Sequence, residues 1–464
     1  MTPRLDESIA YARTLTKPTV AALMDAADAA GRTLVQPRCG VGDHEAMRRL
    51  LIGLEAEASP DVLTITIDSY TRLLRFDCAE RALRSDMAQL NGYPLVTHGW
   101  RRGREINESI RAPLQVRHGS PDPRMLFEAS IAAGIASFEG GGISYNVPYA
   151  KDIPIAESLR AWREVDKVAG EITDAGLTVD REFFGTLTGV LVPPAIALAV
   201  GLLEAVLAAA EGVRCLAIAY PQGGHPWQDL AALRAIRSLA ARYLGLPVHP
   251  VLHEFMGVFP TARSRALALI RYGGLIAAAG RAVKVVTKSP AEATGIPDLA
   301  ANAEGIAATR AGMGMAASWV IDEAAVAEET DAIEREVQEL IDPIVGGPRM
   351  IASIAEACDE GRLDVPFAAS RFVRSAVVPC RDGRGAIRFA DYGNLPFSAS
   401  VRRRNDSLVR GAANGLGLTE RLLRDIRYLS ERPLSWFDSF LPWSGAADQA
   451  SAALMPAARR SGRR

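Results

Sequence analysis

Residues 215–253 read CLAIAYPQGGHPWQDLAALRAIRSLAARYLGLPVHPVLH. The first six positions are apolar on both faces, as a strand covered by helices on both sides must be. A turn rich in glycine and proline follows. In the helical pattern after it, Leu233, Ile236, Ala240 and Tyr243 share one face, while Arg234, Arg237 and Arg242 lie off it. Gly245 supplies a stop, and 248–253 is a second strand-like run. A helix-long connection between two strands is the signature of a parallel crossover.

The same rhythm extends outward from this unit, over residues 60–312. Strand-like runs fall at 63–68 (LTITID), 93–97 (YPLVT), 114–117 (LQVR), 135–139 (IASFE), 187–192 (LTGVLV), 215–220, 248–253 and 283–287 (VKVVT). An earlier run, 34–38 (LVQPR), either joins them or sits outside. Repeated β-then-α of this length gives an open doubly wound sheet or a closed TIM (β/α)8 barrel. The barrel is favoured by where the unusual residues fall. Arg72, Arg117, Glu139, Phe259 and Lys288 each end or follow a strand-like run. Barrel strand ends meet on one face, whereas an open sheet spreads them along a line.

The expected α/β organisation has three parts. Residues 1–60 form an N-terminal helical segment with a first strand, and 61–324 the barrel core. Residues 325–464 form a C-terminal extension that starts with a helix over 327–341 and ends in a disordered basic tail, AARRSGRR (457–464).

Length and composition limit the alternatives. With 464 residues, 48% hydrophobic, the chain buries a sizeable core, which excludes a mostly disordered protein. Lys+Arg is 53 against Asp+Glu 54, a balance that argues against nucleic-acid binding by bulk charge. Five scattered cysteines without a CxxC argue against a disulfide framework or structural zinc and for a reducing cytoplasm. The run GVLVPPAIALAVGLLEAVLAAA (189–210) is broken by Pro193-Pro194 and carries Glu204, so it reads as buried strand and helix rather than a membrane span. The N-terminus MTPRLDESIAYAR lacks the apolar stretch of a signal peptide.

Several motifs fall away. GMGMAA (312–317) matches GxGxxA but lies inside a helical pattern with no strand before it. His253-Glu254 and His44-Glu45 lack the second histidine of HExxH, and no metal-ligand set is expected. Neither GxxxxGK[ST] nor DxHxxG occurs.

The unusual stretch is FEGGGISYNVPYAK (138–151). A carboxylate, Glu139, ends a strand. Three glycines then let the backbone turn tightly or approach a ligand, and two tyrosines follow. Upstream, QPR (36–38), DSYTR (68–72) and QVRHG (115–119) each put an arginine at or just past a strand end. Guanidiniums converging on one barrel mouth bind a small dianion through paired hydrogen bonds. Each piece alone has an ordinary reading as surface charge, plain turn or loop anchor. Their coincidence on one predicted face singles them out.

These segments resemble the large (epsilon) subunit of glutamate mutase, also called methylaspartate mutase. The resemblance runs in order through QPRCGVGDHE (36–45), TIDSYTRLLRFD (66–77), LNGYP (90–94), QVRHGSPD (115–122), SFEGGGISYNVPYAKDIPIAESLRAW (137–162), GTLTGVLVPP (185–194) and MGVFP (256–260). It continues through KVVTKSPAEATGIP (284–297), DVPFAASRFV (364–373) and DYGNLPFS (391–398). It implies a TIM barrel that dimerises within a heterotetramer. The partner would be a small cobalamin-carrying sigma subunit whose DxHxxG histidine ligates the cobalt of adenosylcobalamin. The implied reaction interconverts L-glutamate and L-threo-3-methylaspartate through a radical that fragments and recombines.

Carried over by position, the resemblance implies that Arg38, Arg72 and Arg117 grip the two substrate carboxylates. Glu139 faces the ammonium as candidate proton acceptor. Tyr145 and Tyr149 are further substrate contacts, and Glu182 is a nearby acid behind them. Gly40, Asn91, Pro148, Phe259, Lys288, Glu292 and Ile296 would line the adenosylcobalamin side, with Lys288 and Glu292 addressing the ribose. Departures from the pattern are Cys39 after the first arginine, GYPLVTHG (92–99) and Phe183-Phe184 after Glu182. Two alternatives stay open: the same radical chemistry on another small amino diacid, and a barrel relative without turnover.

Overall fold

In a computed structural model of the chain, residues 2–186, 190–412 and 415–438 are described. Eight parallel strands form one sheet: β1 Leu34–Gln36, β2 Leu63–Thr66, β3 Leu114–Arg117, β4 Ser137–Glu139, β5 Asp180–Phe183, β6 Cys215–Pro221, β7 Val248–His253 and β8 Lys284–Val286. From β2 to β8 each strand pairs with the next in chain order, and β1 pairs with β8, Leu34 opposite Lys284. Between β1 and β2 the amide of Thr66 donates to Cys39 O at 2.7 Å and that of Asp61 to Val35 O at 3.0 Å. The ring is thus nearly closed, and the architecture is a TIM-type α/β barrel. The run at 34–38 contributes a barrel strand, so the sheet begins inside 1–60.

The opening unit forms as read. Helix Pro226–Tyr243 buries Leu233, Ile236 and Ala240, and Gly245 adopts φ +62° just past its end. The membrane-like run becomes helix Pro194–Ala210, buried along most of its length. Among the described residues no helix is long and apolar enough to cross a membrane. GMGMAA lies at the end of helix Leu299–Met315.

Two strand expectations need correction. The run 93–97 is not a strand. Tyr93 makes one ladder-like bond, its amide donating to Thr66 O at 2.8 Å, before a helical turn at Leu95–His98 takes over. Nor is the run 187–192: residues 187–189 lie outside the described residues, and 190–192 are not in a strand. The fifth strand is instead Asp180–Phe183 (DREF), whose three charged side chains are buried. Its polar alternation points Asp180 and Glu182 into the lumen and Arg181 to the helix layer, each with partners.

The two ends of the barrel differ. At the N-terminal end of the strands, helix Val20–Ala29 inserts Val20, Met24 and Ala27 against Leu34, Val62, Val251 and Val283. That apolar plug leaves the opposite end for chemistry. Past the barrel, helix Glu323–Ile341 starts four residues before its expected bound, and a hairpin of β9 Val378–Arg381 and β10 Ile387–Asp391 follows. The hairpin docks on the loop and helix after β6: Arg381 Nη2 donates to Gly223 O at 2.8 Å, and the Gln228 amide bonds both ways with the Ile387 backbone. The tail expected at 457–464 lies outside the described residues.

Candidate active site

Alternation along β3, β4 and β5 sends Gln115, Arg117, Ser137, Glu139, Asp180 and Glu182 into the lumen. Arg117 closes β3 and is buried beside its neighbours. Its Nη1 donates to Glu182 Oε1 at 2.9 Å and to Gln115 Oε1 at 2.8 Å. Its Nη2 donates to Glu139 Oε1 at 3.0 Å and to His253 Nε2 at 2.7 Å. Lys284, at the start of β8 and fully buried, puts Nζ 2.6 Å from Glu182 Oε2, an ion pair lying off the line of a directed hydrogen bond.

The two carboxylates are driven in opposite directions. Burial raises Glu139 to about 7, against the pull of Arg117. Burial opposes ionisation of Glu182 too, but Lys284 and Arg117 outweigh it and hold that carboxyl well below its ordinary value. His253 is pushed well below its ordinary value by burial and by Arg117. It is therefore a neutral imidazole accepting at Nε2, with its proton on Nδ1. Glu139 Oε2 and His253 Nδ1 are buried and have no partner. Glu139, Glu182 and His253 bring potential ligand atoms within 4.8 Å of one another. Arg117 and Lys284 already place two positive charges on these groups, which disfavours a further cation there.

The turn after Glu139 explains its glycines. Gly140 has φ +113°, and a Cβ there would lie 2.1 Å from the Tyr145 ring. A Cβ on Gly141 would lie 2.1 Å from the carboxylate of Glu204. Tyr145 is thereby packed edge-on to His118, which stacks on Trp162. Tyr149 is more than a third exposed, and its ring lies 4.7 Å from the Arg72 guanidinium carbon. Arg72 ends a helical turn, Ser69–Arg72, held by Asp68 Oδ1, which accepts from Tyr70 and Thr71, and by Asn91 Oδ1, which accepts from Ser69 at 2.9 Å.

Arg38 follows β1, half-buried, with Nη1 3.8 Å from Glu292 Oε1. The same Oε1 accepts from Lys288 Nζ. Burial lowers Lys288 to about 8 despite Glu292. Arg38 follows β1, Arg72 follows β2 and Arg117 ends β3, and the strands are parallel, so all three guanidiniums lie at one end of the barrel. Of the remaining positions, Gly40 is buried against the Thr66 carbonyl and Phe259 is buried. Pro148 is half-buried, and Ile296 is exposed at the rim.

The sequence profile of the Methylaspartate mutase E chain family (MutE) matches residues 16–421. The glutamate mutase epsilon subunit of Desulfitobacterium hafniense (strain Y51) is 39% identical over 416 residues, 86% of this chain and 85% of that protein. That of Haloarcula marismortui is 42% identical over 405 residues, 86% of this chain and 83% of that protein.

The chain belongs to the methylaspartate mutase E chain family.

It is thus the large subunit of a mutase, an isomerase. Reading the sequence alone missed several side chains of this family member's lumen. Lys284 and His253 sit directly on the Arg117 cluster, and Gln36 joins Thr64 and Gln115 beneath it at 2.8 and 2.9 Å. The signal for all three was a polar residue at a lumen-facing position of an otherwise apolar strand. His118, the residue after Arg117 in QVRHG, carried no such signal in the sequence.

Proposed function

We propose that this chain is the catalytic large subunit of an adenosylcobalamin-dependent mutase interconverting L-glutamate and L-threo-3-methylaspartate. A small cobalamin-binding sigma subunit carrying DxHxxG works beside it, within a heterotetramer built on a dimer of this chain. Arg38, Arg72 and Arg117 bind the two substrate carboxylates, with Tyr145 and Tyr149 as further contacts. One observation carries this reading: a buried guanidinium, Arg117, shares one lumen with Glu139, whose Oε2 is buried and unpartnered. An amino diacid offers an ammonium for that free oxygen of Glu139 and carboxylates for the arginines at the same end of the barrel.

The residue types suit the task. Arginine stays protonated and fixes a carboxylate in one plane. Burying a carboxylate without it costs several kcal/mol. Glu139, titrating near neutrality, can hold the substrate ammonium and take up its proton at Oε2. Glu182, kept ionised by Lys284, fixes the orientation of Arg117 from behind. The closed lumen keeps water from reactive fragments, and holding both fragments matters more than acid–base strength.

Cofactor and partner would meet this same end of the barrel. Adenosylcobalamin, when bound, supplies a carbon-centred radical by homolysis of its cobalt–carbon bond. Gly40, Asn91, Pro148, Phe259 and Ile296 would line its side, and the Lys288–Glu292 pair offers a donor and an acceptor to ribose hydroxyls. The fit is supported by Leu73, Leu74, Met125, Val258, Ile296 and Phe367, all large, apolar and more than a third exposed, in segments that follow barrel strands or abut the β4 loop. Such a rim suits a protein partner. The test is to mix the chain with a DxHxxG small subunit and adenosylcobalamin and follow 3-methylaspartate formation from glutamate. No product from glutamate, with turnover of another amino diacid, overturns the substrate assignment. Binding of the small subunit with no turnover of any amino diacid overturns the catalytic one.

A further inference from the structure

Glu204 sits in helix Pro194–Ala210, whose other side chains are all apolar, and is 2% exposed. Charges are rarely buried without a task. Its Oε1 accepts two backbone amides, those of Ile143 and Ser144, both at 2.7 Å. Its carboxylate also fills the space a side chain on Gly141 would need. From the other side, the amides of Ala369 and Ser370 donate to Val147 O, both at 3.0 Å, and that of Arg371 donates to Lys151 O at 3.1 Å. The turn carrying Tyr145 and Tyr149 is therefore held between a helix of the barrel and a strip of the C-terminal extension. Glu139 is held separately, by β4 and by the Gly140 amide donating to Glu182 O at 2.7 Å.

We infer that Glu204 is the positioning residue of the substrate turn: by gripping the Ile143 and Ser144 amides it sets where Tyr145 and Tyr149 stand, leaving Glu139 untouched. This rests on the reading of those tyrosines as substrate contacts. Burial raises Glu204 to about 7 against its two hydrogen bonds. Both bonds end on one oxygen, and Oε2 has no partner. A glutamine amide oxygen can take both bonds, so the grip survives loss of charge but not loss of the oxygen.

The experiment compares wild type, Glu204→Gln, Glu204→Leu and Gly141→Ala in two measurements. Hydrogen exchange on the chain alone tests the grip. The Ile143 and Ser144 amides should be strongly protected in wild type and in Glu204→Gln, and exchange at least about tenfold faster in Glu204→Leu and Gly141→Ala. Kinetics of the assembled enzyme test the role. The substrate KM should rise about tenfold in the two disruptive variants, while the pH limb belonging to Glu139 stays in place. Fast exchange in wild type overturns the inference, as does a glutamine variant as impaired as leucine. An unchanged KM in a folded Glu204→Leu overturns it too. If that variant does not fold, Gly141→Ala, which pushes the carboxylate away from the opposite side, decides by the same criteria. Wild-type chain inactive on glutamate but showing the exchange pattern counts against the substrate reading and leaves the grip standing.

Discussion

Arg117 and Arg181 are both buried guanidiniums on neighbouring parts of one barrel, one facing the lumen and the other the helix layer. Arg181 is closed. Its Nε donates to Asp166 at 2.8 Å, its Nη1 and Nη2 donate to the carbonyls of Phe138 and Gly140 at 2.6 and 3.0 Å, and Trp162 covers its face at 4.8 Å. Arg117 is open. Its partners are side chains, and two of them, Glu139 and His253, keep a buried valence unfilled. Equal burial therefore does not make equal roles. A guanidinium saturated by carbonyls and one carboxylate supports the fold, while one whose partners still lack hydrogen bonds fits the binding role proposed for Arg117.

The sharpest way to break that contrast is to remove each arginine. Arg181→Met strands the buried carboxylate of Asp166 and two carbonyls, and stability should fall by about 3–5 kcal/mol. A lowered urea midpoint measures it, and an unchanged midpoint means Arg181 is not a structural keystone. Arg117→Lys keeps the charge but loses the fork. Its midpoint should stay close to wild type while kcat/KM of the assembled enzyme falls about 10²–10³-fold, about 3–4 kcal/mol. A lysine variant with wild-type kcat/KM removes Arg117 from the substrate clamp.

The same contrast bears on what could be read without coordinates. Strand β6 is legible because burial on both faces leaves an apolar run. Strand β5 is not, because DREF places charges on both faces and each charge finds its partner only through tertiary contacts: Arg181 on Asp166, Glu182 on Lys284 and Arg117. Periodicity instead pointed to the apolar 187–192. Arg117 and Glu139 were legible because they end strands, where lumen residues of a barrel meet. Lys284 was not, because it begins its strand and is paired with a residue 102 positions earlier in the chain, Glu182. In 93–97 an apolar run was misleading, since β1 already completes the ring.

Titration probes the open member of the pair more gently. Burial raises Glu139 from 4.5 to about 7. The native state thus binds this proton more tightly than the unfolded chain does. Its contribution to stability is full below about pH 4.5 and is lost as pH rises to about 7. Glu204 and Glu254, raised by burial to about 7 and about 8, act in the same direction. The buried histidines His118, His225 and His253, lowered by burial, act in the opposite direction up to about pH 6.5, so the test is a difference: the wild-type urea midpoint should fall relative to that of Glu139→Gln between about pH 5 and pH 7. Activity should move the other way, because Glu139 must be ionised to meet an ammonium. An ascending limb of kcat/KM near pH 7, absent in Glu139→Gln, is the expected profile. A limb unchanged in that variant assigns the proton elsewhere.

The smallest effect belongs to the arginine that is neither closed nor buried in the lumen. Arg72 rests on the Tyr149 ring at 4.7 Å, and that ring is more than a third exposed. Water screens the contact, so a cation–π stack there is worth roughly 0.5–1 kcal/mol. Tyr149→Phe keeps the ring face, and KM should stay within about twofold. Tyr149→Leu keeps bulk but loses the π face, and KM should rise roughly two- to fivefold with kcat little changed. A phenylalanine variant as impaired as leucine moves the contribution from the ring to the hydroxyl, making it a direct hydrogen bond to substrate. A leucine variant as damaged as Arg117→Lys would be more serious. It would mean that an arginine held at the rim contributes as much as one buried with unfilled partners, and that closure of the hydrogen-bond shell does not separate the two kinds.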